Sequence, residues 1–235
     1  HLTTRRQRQM CIRDSKKDEQ LLTPLHWAAS DNPSILSYLL QKDAKVNEKD
    51  EDGMIPLHSA VINDVLEVEL LIKNGSNVNE KDNLGVSPLI YGAQMGHIDT
   101  VNLLIANGAN VNIKDGIGCT ALHMGAEKGH IDIVNTLITN GANVNEKTDD
   151  GKTPLHLAAE NGHINVVRKL ISAGCNVDLQ DHRNEETALY KAAESNHLDV
   201  VKLLVKKGCN VYLTDGCGNG ACFAARCQGN KSCLL

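Results

Sequence analysis

A chain of 235 residues that is 41% hydrophobic and 23% charged has the composition of an ordinary folded protein. Aromatic residues make up only 3%, with one Phe and one Trp, so any core must be built from Leu, Ile, Val and Ala in thin layers. The formal charge of -5 leaves no basic face for nucleic acid, and no apolar run approaches the ~18 residues of a membrane span.

The chain opens on His1 rather than Met, and the sequence is expected to be a fragment. Its one basic cluster, Arg5, Arg6, Arg8 and Arg13, surrounds Met10-Cys11-Ile12-Arg13-Asp14-Ser15, which resembles one reading frame of a transposase adapter used in sequencing libraries. Cys233-Leu234-Leu235 resembles the same adapter read on the other strand. Residues 1–15 are therefore read as a non-native adapter-derived segment, outside fold reasoning.

From there a phrase recurs in chain order. It stands as Thr23-Pro24-Leu25-His26, Ile55-Pro56-Leu57-His58, Ser87-Pro88-Leu89-Ile90, Thr120-Ala121-Leu122-His123, Thr153-Pro154-Leu155-His156 and Thr187-Ala188-Leu189-Tyr190. The Leu anchors at 25, 57, 89, 122, 155 and 189 are 32 to 34 residues apart, the self-similarity of a stacked-repeat architecture. Each unit reads as two short helices. In the fifth, Thr153 suits an N-cap and Pro154 the first helical position, where its missing N–H costs nothing. Leu155, Ala158 and Ala159 share one face, and the small Ala pair admits a neighbouring helix. Asn161-Gly162 breaks that helix, and a second runs through Ile164, Val167, Leu170 and Ile171 to Gly174. Asp150-Gly151 marks a tight turn between units.

The departures carry their own expectations. The first unit replaces the inter-helix Gly-His with Asn32-Pro33, where Asn32 can cap and Pro33 lead a helix. A seventh turn starts at Asp215 and Gly218, but Gly220, Ala221, Cys222 and Phe223 then stand in the anchor slots, so the motif is lost there. Residues 216–235 read as a degenerate seventh repeat or a frameshifted tail.

These phrases, with Gly108-Ala109-Asn110-Val111-Asn112 and its counterparts at 141–145 and 174–178, resemble the ankyrin repeat. The resemblance covers six repeats over about residues 16–215. It implies an all-α solenoid of helix-turn-helix pairs joined by β-hairpin loops, acting as a protein-protein interaction scaffold or adaptor. One repeat cannot bury its apolar stripes alone, so stability sums over interfaces between neighbours.

No residue pattern points to catalysis, a cofactor or a metal. Of ten histidines, His26, His58, His123 and His156 fill the slot after Pro/Ala-Leu, and His97, His130, His163 and His197 fill the slot between helices. Both slots are structural in the family. Cys175 and Cys209 take a small buried slot, Cys119 is expected on an exposed hairpin, and Cys217, Cys222 and Cys227 lack zinc-site spacing. Cytoplasmic or nuclear residence follows from repeats that need no disulfide, secretion remaining open at a missing N-terminus.

In ankyrin proteins the partner lies on the concave face of hairpin tips and inner helices. Mapped here, repeat two offers Glu51, Asp52 and Met54, and repeat three offers Asn83, Leu84, Val86 and Met95. Repeat four offers Ile117 and Cys119, and repeat five Asp149, Asp150 and Lys152. Met54, Leu84, Val86, Met95 and Ile117 are taken as apolar anchors for a protein partner, with Asp149, Asp150 and Lys152 as a polar edge. The partner's identity is unspecified, the chain is expected to be a monomer, and neither nucleic acid nor membrane is expected. The alternative is the targeting module of a larger truncated protein: a ubiquitin-ligase adaptor, a channel, a kinase or an ankyrin-rich toxin.

Overall fold

The computed structural model describes residues 21–63, 65–227 and 229. The adapter-like segment 1–15, the terminal Cys233-Leu234-Leu235 and Lys16 at the expected start of the array lie outside the described residues. The chain divides into two compact units, with the boundary between residues 115 and 116.

The first unit holds three helix pairs: α1 (Pro24–Asp31) with α2 (Pro33–Leu40), α3 (Pro56–Asn63) with α4 (Val65–Lys73), and α5 (Pro88–Met95) with α6 (Ile98–Ala106). Inner helices α1, α3 and α5 stack on one another, and so do outer helices α2, α4 and α6. The second unit repeats this plan with α7 (Ala121–Lys128) and α8 (Ile131–Thr139), α9 (Pro154–Glu160) and α10 (Ile164–Ser172), and α11 (Ala188–Glu194) and α12 (Leu198–Lys206). The hairpins form no ladder among the described residues, only the isolated bridges Gln180–Thr187 and Thr214–Gly220.

Burial follows the anchors. Leu25, Leu57, Leu89, Leu122, Leu155 and Leu189 are all buried, with Ala158 and Ala159 fully so. The stripe of α10 is turned slightly from the periodic reading: Val166, Val167 and Leu170 are its buried residues, while Ile164 and Ile171 are half-buried. At the first inter-helix turn the Asn32 Oδ1 accepts the Ile35 N–H at 3.1 Å, the cap expected from Asn32-Pro33. Past the sixth repeat, α13 (Ala221–Cys227) forms although the anchor motif has gone. It packs on α11 through Ala221, Ala224 and Ala225, leaving Cys222 and Phe223 outward.

The motif histidines tie repeats together. In the fifth repeat the Thr153 backbone N–H donates to His156 Nδ1 at 3.1 Å, with the Thr153 hydroxyl at 2.8 Å from the same nitrogen. An N–H can only donate, so Nδ1 accepts and the ring proton sits on Nε2. That Nε2–H donates to the Glu186 carbonyl of the next hairpin at 3.1 Å. His26 reaches the Met54 carbonyl (3.0 Å) and His123 the Lys152 carbonyl (3.2 Å) in the same way. Where Tyr190 replaces the histidine, the Thr187 hydroxyl accepts the Tyr190 N–H directly, as an ordinary N-cap. The second set of histidines reaches backwards, His163 Nε2 to the Glu127 carbonyl at 2.8 Å and His197 Nε2 to that of Glu160 at 3.0 Å.

These rings set the requirement for glycine. Gly129 and Gly162 end inner helices with φ of +78° and +73°, and a Cβ on either would fall 2.6 and 2.4 Å from the ring of His163 or His197. Asn196 holds the equivalent place in repeat six at φ 62°, a left-handed conformation asparagine tolerates.

Further stitching runs along the hairpins. Lys49 Nζ donates to the Lys81 carbonyl (3.0 Å), Lys81 Nζ to that of Lys114 (2.6 Å) and Lys147 Nζ to that of Gln180 (2.9 Å). Gln180 continues the series onto the Thr214 carbonyl at 2.8 Å. Asn47 and Asn79 each bridge to the following repeat, Asn79 Nδ2 donating to the Gly108 carbonyl and its Oδ1 accepting the Asn110 N–H.

Candidate partner-binding surface

The hairpin turns at residues 50, 82, 148, 181 and 215 are each built on one side chain that accepts backbone N–H groups from its own tip. Asp50 Oδ1 accepts from Met54, and Asp82 Oδ1 accepts from both Leu84 and Val86. Asp215 Oδ1 accepts from Cys217 and Asn219, which holds its carboxyl below the usual range, and Thr148 Oγ1 accepts from Lys152. These bonds tighten the turn and push the residue two after the acceptor outward.

Successive tips are then joined. Asn83 N–H donates to the Asp52 carbonyl (2.8 Å) in the first unit. In the second, Asp149 N–H donates to the Ile117 carbonyl (3.1 Å) and His182 N–H to that of Asp150 (2.7 Å). Glycine permits this closeness: a Cβ on Gly53 would meet Asn83 Oδ1 at 2.3 Å, and one on Gly118 would meet Asp149 Oδ1 at 2.8 Å.

The tip geometry sorts the predicted anchors into two groups. Leu84 (72% exposed) and Ile117 (65%) occupy the outward slot, and Met95 (44%) projects from the end of α5. Met54 and Val86 stand one residue after the hairpin glycine and are half-buried. Cys119 takes that same slot and is buried, which corrects the expectation of an exposed thiol; the slot points under the tip towards the inner helix. Lys152 is there too, half-buried, with Nζ 2.8 Å from Glu160 Oε2. Asp149 and Asp150 are exposed, and Asp150 lies 3.3 Å from Arg183. Leu84, Val86 and Met54 thus share two joined hairpins of the first unit, and Ile117, Asp149, Asp150 and Lys152 two joined hairpins of the second.

Trp27 escaped the sequence reading. It is 61% exposed on α1, directly after His26, whose ring contacts the hairpin of Met54. The available signal was position: it follows the motif histidine on an inner helix, the slot held in the third repeat by Tyr91. Tyr91 is half-buried, donates to Asp82 Oδ2 at 2.8 Å, and meets the His58 ring edge-on. Burial and Asp82 together push its hydroxyl pKa well above the ordinary tyrosine value.

Burial suppresses titration of several groups inside the repeats. Burial holds His156 down to about 4 and lowers His58 likewise, so both rings are neutral near pH 7. Burial also pushes the Cys175 thiol up to about 11, which leaves it unreactive. Among the described residues no group of three His, Cys, Asp or Glu side chains is placed to hold a metal ion. No described helix is long and apolar enough to cross a membrane.

The period of 32 to 34 residues, the paired helices and the hairpin stitching define a stacked-repeat protein. A family model for ankyrin repeats (3 copies) matches residues 25–115, 66–148 and 122–215, and the chain belongs to the ankyrin repeat family. Its helical architecture is of the all-α ankyrin type expected from the sequence. Among solved structures it is similar to the ankyrin repeat domain of human ASB11, with 26% identity and a TM-score of 0.82, over 91% of this chain and 97% of that one. No curated protein matches it in sequence. Ankyrin repeats serve in general as protein-protein interaction modules.

Proposed function

We propose that this chain is a binding scaffold that holds a protein partner on its hairpin tips and inner helices and carries out no reaction of its own. The observation that carries this is the exposure of large aliphatic side chains on a backbone fixed by hydrogen bonds: Leu84 on a hairpin tip and Met95 at the end of α5 in the first unit, Ile117 on a hairpin tip in the second. A backbone already ordered at these positions loses little freedom on docking, and the exposed apolar side chains gain from desolvation. Half-buried Met54 and Val86 would support the first cluster from beneath, and Asp149, Asp150 and Lys152 would form a polar edge on the second.

The test is affinity capture with the immobilised chain, followed by Leu84→Ala with Met95→Ala and, separately, Ile117→Ala. Loss of the captured protein with an unchanged helical spectrum is the expected result. Unaltered capture by all three substitutions together would place the functional surface elsewhere.

The buried thiols of Cys119, Cys175 and Cys209 suit a reducing compartment, cytoplasm or nucleus. The scaffold would act as a monomer, which sedimentation checks. The same surface would serve as the targeting part of a longer protein, whether ubiquitin-ligase adaptor, channel, kinase or toxin. A full-length transcript distinguishes that arrangement from a free-standing scaffold.

A further inference from the structure

We propose that the segment bound by the first unit is a basic peptide, with Lys or Arg beside aliphatic residues, that seats an aliphatic side chain on Leu84 and its cations against Glu51 and Asp52. This rests on the partner-binding reading of the hairpin face and adds the chemistry of the partner.

Charge is unevenly spread along the chain. Residues 21–115 contain thirteen Asp and Glu against six Lys and no Arg, a net charge of -7. Residues 116–227 contain thirteen against eleven Lys and Arg, a net charge of -2. The net negative charge of the repeats is therefore concentrated in residues 21–115, which carry Leu84.

Within that unit the lysines are engaged away from the tips. Lys45 pairs with Glu48 (3.3 Å), Lys73 with Glu69 (2.6 Å), and Lys49 with Glu80 (2.8 Å). Lys49 and Lys81 also donate to carbonyls of the following hairpin, and Lys42 stands 5.7 Å above the Tyr38 ring. The carboxylates of Asp50 and Asp82 turn inward to their own tips. Glu51 and Asp52 are exposed, and neither pairs with a described cation.

Hydrogen bonding brings these two beside the apolar anchor. Asn83 donates through its backbone N–H to the Asp52 carbonyl and through Nδ2 to the Glu51 carbonyl at 2.9 Å. Leu84 is the next residue. Two unneutralised carboxylates thus adjoin the most exposed of the predicted anchors. An anionic segment would be repelled there, and a neutral one would leave the carboxylates unpaired at a partly desolvated edge.

The probe is a short fluorescent peptide of alternating Lys and Leu, with analogues carrying Ser or Glu in place of Lys, titrated by anisotropy against the full chain. The Lys peptide is expected to bind, more weakly at about 500 mM than at about 50 mM NaCl, as screening requires. Glu51→Gln with Asp52→Asn is expected to weaken it about five- to tenfold and to flatten the salt dependence, whereas Glu69→Gln on the outer helix leaves both unchanged. Equal binding of Lys and Ser peptides, unaffected by Glu51→Gln with Asp52→Asn but lost in Leu84→Ser, would overturn the charge assignment and leave the apolar surface standing. Binding of no peptide would overturn both, and Lys-peptide binding indifferent to Leu84→Ser would overturn the seating on Leu84.

Discussion

The Lys191 ammonium sits against the Glu186 carboxylate with both side chains less than a tenth exposed. Glu186 holds the slot after the hairpin turn and Lys191 the slot after the motif Tyr190. The same two slots carry Val86 and Tyr91 in repeat three and Cys119 and Met124 in repeat four. Repeat six thus places a buried ion pair in slots that carry uncharged side chains in those repeats, tying its hairpin to α11. Burial works against the charged lysine, but the bond to Glu186 outweighs it and holds the Lys191 pKa above its ordinary value.

Removing one member should therefore be far worse than removing both. Lys191→Met alone strands a buried carboxylate and should cost roughly 3–5 kcal/mol. Glu186→Cys with Lys191→Met, borrowing the pair of repeat four, should return to within about 1 kcal/mol of the parent. A double-mutant cycle of urea midpoints measures the coupling; additive losses would show that the pair contributes nothing as a pair.

Two glycines with similar backbone angles should respond differently to alanine. Gly174, at φ +82°, has nothing within 4 Å of the place a Cβ would take, so Gly174→Ala should cost only about 1–2 kcal/mol for the left-handed conformation. Gly162→Ala carries the same cost and also displaces the His197 ring, with its bond to the Glu160 carbonyl, adding about 1–3 kcal/mol. Equal midpoints for the two variants would mean the ring moves aside freely.

Acid should weaken the second unit through His156. Its pKa is 6.5 in an unfolded chain and about 4 when buried. Between these values the unfolded chain binds a proton that the folded one refuses. Stability is therefore fully present above about pH 6.5 and declines as pH falls towards about 4, by roughly 3 kcal/mol from this group. His156→Tyr, the residue repeat six uses in that slot, should shrink the difference between urea midpoints at about pH 7 and about pH 4.5. An unchanged difference would assign the acid sensitivity to other groups.

Lys152 now has two roles to separate. Its pairing with Glu160 across a half-buried edge predicts that Lys152→Glu costs up to about 1 kcal/mol of stability and alters the salt dependence of partner association more than its strength. Kinetic association rates at two ionic strengths, compared with Ile117→Ala, provide the check. A large change in dissociation rate for Lys152→Glu would make it an anchor rather than an edge.

The repeats, their helix pairs, the buried Leu anchors and the Asn32 cap were legible in the sequence because each is local. A cap, a leading proline and an apolar stripe act within one or two turns of the same helix, and the period follows from their recurrence. The coverage of the hairpin slots was not legible. Whether Cys119 lies under a tip and Leu84 on top of it depends on backbone bonds between hairpins about 33 residues apart, such as Asn83 to Asp52, and on the side-chain acceptor that closes each turn. The lysine-to-carbonyl series and the Lys191–Glu186 pair have the same origin. Charged residues in polar hairpins look alike in sequence, and only the stacked neighbour decides which of them meets a carbonyl, a buried counter-charge or water.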